Sequence, residues 1–214
     1  MRISSKKYCI VGTGGFGREV LCCLIDYLAS VESRVQGRVI FMVDDEYYQH
    51  TNIMGVPVIR RSEFDVSEYE VLVAVGDPSS RKKMVNSLPP ETQYGRLIHP
   101  TATVSEWVEL GEGIIITAGC VVTCNIKLGA HTHLNLNTTI GHDCEIGDYF
   151  TTAPSVNISG SCSFGKCVYF GTSSSVRQGI SICDNVTIGM GGVVVKDIVD
   201  EGVYIGSPVT KLIK

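Results

Sequence analysis

The chain has 214 residues, 44% of them hydrophobic and 19% charged, which is enough for one large domain or two small ones with real cores. A net charge of −4 without any run of basic residues excludes the usual electrostatic pattern of a nucleic-acid-binding protein. Because the start lacks the apolar stretch of a signal peptide and no segment approaches about 18 uninterrupted apolar residues, we expect a cytoplasmic protein without a membrane anchor.

The first part of the chain follows the pattern of a small α/β domain. The segment KYCIVGTGGFGREVLCCLIDYL predicts a strand, a glycine turn and a helix, and GRVIFMVDDE predicts a second strand that ends in acids. The segment YEVLVAVGDPSSRKKMVNSL predicts a third strand, a turn and a second helix. These elements indicate a Rossmann-like βαβαβ domain in residues 1–97.

The glycine turn of this domain predicts a phosphate site. Gly12, Gly14 and Gly17 fit the GxGxxG pattern of dinucleotide-binding proteins, and acids close the second strand where a ribose-binding carboxylate would lie. A full dinucleotide fold needs two such halves, and the chain has room for one, so a sugar nucleotide fits better than NAD. The predicted substrate-binding residues are Gly12, Gly14, Gly15, Gly17, Asp44, Asp45, Gly76 and Arg81.

The second part of the chain, residues 98–214, is dominated by a six-residue repeat. From Ile98 onward, 17 hexads (such as LGAHTH, LNLNTT and IGHDCE) extend to residue 199 without a change of frame, and the first position is apolar in all but one, Thr152. Seven second positions are glycine, and fifth positions are mostly small or β-branched. Three of the nine cysteines, Cys120, Cys144 and Cys162, fall at fifth positions, which predicts free thiols in a core.

A period of six suits short parallel strands that alternate with tight turns, three per coil. The first side chain of each hexad then points inward and stacks on its counterpart 18 residues later. A prism of such coils has flat faces that it cannot cover with helices of its own. We therefore expect the faces to be covered by side-by-side association.

The combination of a glycine-turn α/β domain and hexapeptide coils resembles the sugar O- and N-acyltransferases of the sialic acid O-acetyltransferase type. That family includes nucleotide-4-amino-sugar N-acetyltransferases, and the resemblance rests on IVGTGGFGREV, MVDDE, VAVGDPSSRKKM, LIHPTATV, LNLNTTIGHDCEIGD and GVYIGSPVTKLI. It implies a left-handed parallel β-helix, a homotrimer, and acetyl-CoA as co-substrate, with no metal. In the tail, Val209 and Thr210 replace the alanine of the family's G-x-P-A-K segment.

The resemblance also implies the catalytic residues. The family keeps an asparagine seven residues before a histidine–acid pair, and here Asn135 precedes His142 and Asp143 by that spacing. His142 is the third residue of its hexad, so its ring should point outward, and a neutral imidazole can take a proton from the attacking group. Asp143 would orient the ring, with Glu145 as the alternative acid.

The predicted acetyl-CoA site follows the coils beyond His142. Gly160 lies one coil further on, and we expect its backbone amide to stabilise the oxyanion and its missing side chain to let the pantetheine pass. Later residues would line the coenzyme groove. The predicted cofactor-binding residues are Gly160, Met190, Gly191 and Lys196, with Lys211 as an alternative to Lys196.

Three other functions remain open on the sequence. Sialic acid O-acetylation is the first alternative to N-acetylation of a nucleotide-linked amino sugar, since nothing in the sequence separates an amino from a hydroxyl acceptor. A zinc-dependent carbonic anhydrase of the hexapeptide type would need three histidines, and His131, His133 and His142 are the candidates inside the repeats. A sugar-nucleotide-binding protein without catalysis is the third alternative.

Overall fold

The computed structural model describes residues 7–32 and 34–213. The first unit is a five-stranded sheet of order β3-β4-β2-β1-β5 with two helices. Its elements are β1 (Lys7–Val11), α1 (Gly15–Ser30), β2 (Val39–Val43), β3 (Asn52–Ile53), β4 (Val56–Arg60), β5 (Tyr69–Val73) and α2 (Pro78–Ser87). The central strand β1 pairs in parallel with β2 and with β5, so the carboxyl ends of these strands lie at one edge of the sheet.

One connection differs from the predicted βαβαβ order. The segment between β2 and β5 contains no α-helix; its elements are the 3₁₀ helices Asp45–Tyr47, Arg61–Glu63 and Val66–Glu68 and the antiparallel pair β3–β4. The strand β4 pairs in parallel with β2 and extends the sheet on that side. The segment YYQHTNIMGVPVIRR is rich in β-branched and polar residues and lacks a helical apolar stripe, which explains why it forms strands.

The two helices begin where the sequence predicts. Helix α1 buries Val20, Leu21, Leu24 and Leu28, which lie on one helical face against the sheet. Its N-cap is Gly14, whose missing side chain leaves the first backbone N–H groups uncapped. Helix α2 has Asp77 as N-cap, and its carboxylate accepts a hydrogen bond from the Ser80 N–H at 2.7 Å.

The hexads form a prism of stacked coils. Strands 18 residues apart pair in parallel, as in Val121↔Thr139 and Lys127↔Glu145, and build three faces of eight, six and five strands. The eight-stranded face contains β6 (Leu97–Ile98), β9 (Ile115–Ile116), β12 (His133–Leu134), β15 (Thr151–Thr152), β18 (Tyr169–Phe170), β21 (Val186–Ile188), β23 (Gly202–Gly206) and β24 (Val209–Lys211). The six-stranded face contains β7 (Thr103–Val104), β10 (Val121–Val122), β13 (Thr139–Ile140), β16 (Asn157–Ile158), β19 (Ser175–Val176) and β22 (Val193–Val194). The five-stranded face contains β8 (Val108–Leu110), β11 (Ile126–Leu128), β14 (Glu145–Ile146), β17 (Ser163–Phe164) and β20 (Ser181–Ile182).

The interior of the prism follows the predicted inward positions. First-position residues such as Leu134, Ile140 and Phe170 are buried in one continuous cluster, together with the fifth-position cysteines. The exception, Thr152, is also fully buried, and its hydroxyl is satisfied by the Thr138 hydroxyl at 2.8 Å. All nine cysteines are free thiols.

The hexad frame ends earlier than the sequence predicts. Ile182 bridges to Ile198 and Val186 pairs with Gly202, both 16 rather than 18 residues on, so the last coil is two residues shorter than the others. The prediction of an unbroken frame to residue 199 is therefore wrong at its last hexad. An unbroken spacing would pair Ile182 with Asp200, which is charged and exposed, whereas the shorter coil pairs it with the buried Ile198.

The α/β unit packs on the amino-terminal end of the eight-stranded face. Leu97 pairs with Ile115 in the first coil, yet both side chains belong to the core of the α/β unit. The division into residues 1–97 and 98–214 stays a prediction. Over the described part of the chain, neither helix is long and apolar enough to cross a membrane.

Candidate active site

His142 lies at the corner of the prism between β13 and β14. Its side chain is 51% exposed, and its Nδ1 is 2.7 Å from Oδ2 of Asp143, which is 53% exposed. The hydrogen bond to His142 is the largest cause that lowers the pKa of the Asp143 carboxyl, followed by one from Asn125. An ionised carboxylate on Nδ1 places the ring proton there and leaves Nε2 as the free basic nitrogen.

The other predicted acid takes no part in this pair. Glu145 lies on the outer side of β14, and its carboxylate is 3.8 Å from the ammonium of Lys127. The sequence did not single out Asn125, whose Nδ2 donates to the second carboxylate oxygen of Asp143 at 3.2 Å. The signal that could have found Asn125 is its position 18 residues before Asp143 in the same column of corner residues.

Gly160 lies directly beneath the His142 ring, one coil further on. A Cβ placed on Gly160 would lie 2.6 Å from both Cε1 and Nε2 of the imidazole. Over residues 7–32 and 34–213, the Gly160 N–H donates to no protein acceptor. The basic nitrogen and a free backbone donor thus lie next to each other, which is the pairing that acyl transfer requires.

Gly160→Ala should displace the His142 ring, because a methyl group at 2.6 Å lies inside van der Waals contact and the backbone beneath it is held in the coil. We expect turnover to fall by roughly 10²-fold, the cost of misplacing a catalytic group by about an ångström. Ser159→Ala is the matched control, since it changes the preceding residue of the same corner. Steady-state kinetics of the two variants would contradict this interpretation if their turnover were equal.

The predicted coenzyme residues are divided between two corners. Lys196 follows β22 at the His142 corner, in the column that also contains Gly160. Met190 lies in the column of Pro154 and Thr172, at the neighbouring corner, where Gly191 follows it, and Met190 is 78% exposed. One chain therefore does not bring all four residues together.

Asn135 also lies at this neighbouring corner. Its Oδ1 accepts the Leu136 N–H at 2.8 Å, and its own N–H donates to the Thr152 hydroxyl at 3.1 Å. The strand β13 separates it from His142, so within one chain the two side chains lie at opposite edges of the six-stranded face.

The glycine turn after β1 lies between two cavities. Gly12 has a φ of +104°, and a Cβ on Gly17 would clash with the Gly12 carbonyl oxygen, so both positions require glycine. Gly14 and Gly15 instead face open space at the uncapped start of α1. That end of α1 therefore presents free N–H groups and a positive dipole end to an anion.

The larger cavity, called here the prism-side cavity, has a volume of about 630 Å³ and lies between the glycine turn and the eight-stranded face. It is lined by Gly15, Phe16, Glu19, Gly76, Asp77, His133, Asn135, Thr151, Thr152, Ala153, Pro154, Tyr169, Thr172 and Thr187. The second, called the strand-side cavity, has a volume of about 430 Å³. It is lined by Thr13, Gly14, Arg18, Val43, Tyr47, Gln49, His50, Asn52, Ile53 and Val58.

The predicted acids of the second strand line neither cavity. Asp44 pairs with Arg61 at 3.1 Å, and Asp45 accepts a hydrogen bond from the Ser62 N–H at 3.1 Å. Both carboxylates are thus bound to the 3₁₀ turn that follows β4, and neither faces the two cavities beside the glycine turn. Gly76 does line the prism-side cavity.

The prediction that Arg81 contacts substrate is wrong. The side chain is fully buried, and its guanidinium donates to the carbonyls of Val75, Gly76, Tyr149 and Phe150 and to the Thr151 hydroxyl at 2.7 to 3.2 Å. Burial lowers the pKa of Arg81 to about 9, so it stays charged near neutral pH. The hydrogen bonds of Arg81 thus connect α2 to the prism, and no part of its side chain is exposed to a ligand.

The histidines inside the repeats do not converge on a metal. His133 Nδ1 is 3.0 Å from Arg81 Nη1, which can only donate, so the His133 proton lies on Nε2. Burial lowers the pKa of His131 to about 4, and its ring stacks on Tyr149. His142 lies at a corner of another face, and no group of three or more His, Cys, Asp or Glu side chains in the described residues could hold a metal ion.

Comparison with known proteins finds similar sequences for both parts of the chain. Residues 7–88 match the family model described as the PglD N-terminal domain. GDP-perosamine N-acetyltransferase of Escherichia coli O157:H7 is 26% identical over 180 residues, covering 81% of this chain and 79% of that protein.

Solved structures match the whole chain. The acetyltransferase domain of PglB from Neisseria gonorrhoeae, solved in complex with acetyl coenzyme A, has a TM-score of 0.85 at 28% identity over 97% of this chain and 99% of that one. PerB from Caulobacter crescentus, solved in complex with CoA and GDP-perosamine, has a TM-score of 0.82 at 26% identity over 98% of both chains. The predicted fold class, a Rossmann-like domain followed by a left-handed parallel β-helix, is confirmed.

Proposed function

Because this chain belongs to the hexapeptide-repeat sugar acyltransferases with a PglD-type N-terminal domain, we propose that it transfers the acetyl group of acetyl-CoA to an amino group of a nucleotide-linked 4-amino sugar. The observation that carries the proposal is the His142–Asp143 pair, whose free Nε2 lies above Gly160. The PglB domain was solved with acetyl coenzyme A, and PerB with CoA and GDP-perosamine, which supports both substrate classes.

The reaction needs one base, one oxyanion donor and no covalent intermediate on the protein. The neutral amine of the sugar attacks the thioester carbonyl, the C–N bond forms, and the proton leaves nitrogen for His142 Nε2. As the tetrahedral intermediate collapses, the C–S bond breaks and the histidine returns the proton to the CoA thiolate. The Asp143 carboxylate stabilises the intervening imidazolium, and the Gly160 N–H donates to the oxyanion.

The α/β unit supplies the acceptor site in this proposal. The phosphates of the sugar nucleotide would lie on the open N-terminus of α1 at Gly14 and Gly15, where the free N–H groups favour an anion. The strand-side cavity would hold the nucleoside, and the prism-side cavity would hold the amino sugar. Asn135 lines the prism-side cavity, which supports a role for its side chain near the acceptor.

A homotrimer would bring together the predicted site residues that lie at two different corners of one chain. His142, Gly160 and Lys196 lie at one corner of the prism, and Asn135, Met190 and Gly191 lie at the next. Three prisms packed around an axis bring unlike corners of neighbouring chains together, so each coenzyme groove would be formed by two chains. Light scattering at micromolar concentration should give the mass of three chains, and the mass of a single chain would contradict this assembly.

The proposed function is tested with a panel of matched acceptors. GDP-, UDP- and dTDP-linked 4-amino sugars, the corresponding 4-hydroxy sugars and free sialic acid are each incubated with acetyl-CoA, and thiol release is recorded. We expect release with at least one nucleotide-linked amino sugar and none with its hydroxyl counterpart. Thiol release only with sialic acid or a hydroxy sugar would replace N-acetylation with O-acetylation. If none of the acceptors gave thiol release, only a binding function would be left.

A further inference from the structure

The Asp143 carboxylate has a partner on each of its two oxygens. Oδ2 is 2.7 Å from His142 Nδ1, and Oδ1 accepts a hydrogen bond from Asn125 Nδ2 at 3.2 Å. Asn125 lies one coil earlier in the same column, and the Asp143 N–H donates to the Cys124 carbonyl at 3.1 Å. This backbone hydrogen bond between successive coils thus holds Asn125 and Asp143 next to each other.

The turn conformation alone does not explain an asparagine at position 125. Asn125 and Asp143 have φ values of +54° and +58°, a region in which asparagine and aspartate are well tolerated. Ser161 occupies the next position of the column with a φ of +57°, and Tyr149 and Cys167 adopt the same conformation at another corner. Since serine, tyrosine and cysteine all serve in such turns here, the amide of Asn125 adds a donor that the turn does not need.

Other titratable residues share the corner of this pair on the coils before and after it. Glu106 and Cys124 lie on the coils before His142, and Arg177, Lys196 and Asp197 lie on the coils beyond Gly160. The Glu145 carboxylate points toward Lys127 on the five-stranded face. Asp143 is therefore the carboxylate in contact with the imidazole. The orientation of that carboxylate determines how well it accepts the Nδ1 proton of His142.

We infer that Asn125 is a positioning residue for the His142 base, acting through Asp143. The amide holds Oδ1, which keeps the carboxylate plane aligned so that Oδ2 stays on the Nδ1 proton. Nε2 then remains directed at the space above Gly160, where the attacking amine must lie. This inference rests on the proposed function, because the base matters only if a proton is taken from an acceptor.

The kinetic test is a double-mutant cycle with a matched control. Asn125→Ser, a residue that the same column accepts at position 161, should lower kcat by roughly 5- to 30-fold and leave both KM values unchanged. In an Asp143→Asn background the same change should have no further effect. Asn185→Ser is the control, since Asn185 also has a positive φ and donates to a carboxylate, that of Glu201 at 3.3 Å, far from His142.

The pH dependence gives a second readout. Asn125→Asp puts another negative charge beside the imidazole, which favours its charged form, so the acidic limb of the kcat profile should move to higher pH. A loss that is equal in the wild-type and Asp143→Asn backgrounds, or that is matched by Asn185→Ser, would overturn the inference.

An NMR titration of the His142 ring, using ¹³C-labelled histidine, separates this inference from the proposed function because it needs no acceptor. Asn125→Asp should shift the titration of that ring to higher pH, and Asn185→Asp should not. If the wild type acetylates no amino sugar, the proposed function fails while this titration still decides whether Asn125 is coupled to the pair. An unchanged titration in Asn125→Asp would overturn the coupling.

Discussion

His142→Ala is expected to lower turnover by roughly 10²- to 10⁴-fold, because it removes the proposed base for the attacking amine. The side chain is half exposed and contributes nothing to the prism core, so the fold and both substrate affinities should stay close to those of the wild type. Cys124→Ala is the matched control, since Cys124 is an exposed residue at the same corner, one coil earlier. Steady-state kinetics and calorimetric affinities of both variants measure the effect.

Asp143→Asn should cost less than loss of the histidine and should carry its own pH signature. The carboxylate favours the charged imidazolium, so its removal should move the acidic limb of the kcat profile to lower pH. This direction is opposite to that expected for Asn125→Asp.

A His142→Ala protein that turns over within a few-fold of the wild type would make His142 an ordinary turn residue.

The second large effect is expected on stability, at Arg81. Arg81→Leu removes the guanidinium donors to four backbone carbonyls and to the Thr151 hydroxyl inside the contact between α2 and the prism. The Phe150 carbonyl still accepts from the His133 N–H and the Gly76 carbonyl from the Thr151 hydroxyl, whereas the carbonyls of Val75 and Tyr149 lose the donor they have. The loss of these hydrogen bonds, two of them from carbonyls left without a partner, should reduce the free energy of unfolding by about 3 to 5 kcal/mol. The free energy of unfolding of Arg81→Lys should lie between those of the wild type and Arg81→Leu, because an ammonium has fewer donors than a guanidinium and cannot reach several carbonyls at once.

The measurement is urea unfolding followed by circular dichroism, with Lys82→Leu as the matched control. Lys82 is the next residue of α2 and is exposed, so its replacement should change the free energy of unfolding by less than about 0.5 kcal/mol. An Arg81→Leu protein as stable as the control would show that the contact between α2 and the prism does not depend on the guanidinium.

The prism could be predicted because its physics is local and periodic. An apolar residue every six positions and a stack every 18 specify the inward faces, the corners and the outward position of His142 before any long-range contact is known. The same spacing would have found Asn125 from Asp143. The shortened last coil does not show inside the 17 hexads, because Ile198 is apolar at a fifth position that points inward in either frame, and the only departure is Asp200, directly after the last hexad.

The burial of the Arg81 side chain could not be predicted for a different reason. It stands beside Lys82 and Lys83 in a helix after a glycine turn, and a basic residue there is compatible with a phosphate ligand as well as with a buried contact. Only the packing of α2 on the prism decides, since that places Tyr149, Phe150 and Thr151 around the guanidinium. Likewise, whether Asp44 and Asp45 reach the glycine turn depends on the 3₁₀ turn after β4, which lies well beyond them in sequence.

The central claim, that this chain moves an acetyl group from acetyl-CoA to a sugar amine with His142 as base, is tested most directly by product analysis. The wild type and His142→Ala are each incubated with ¹³C-acetyl-CoA and a nucleotide-linked 4-amino sugar, and the product is followed by NMR. We expect a labelled amide on the sugar nitrogen that accumulates with the wild type and at least about 10²-fold more slowly with His142→Ala. A labelled ester, or an amide that forms equally fast with both proteins, would contradict it.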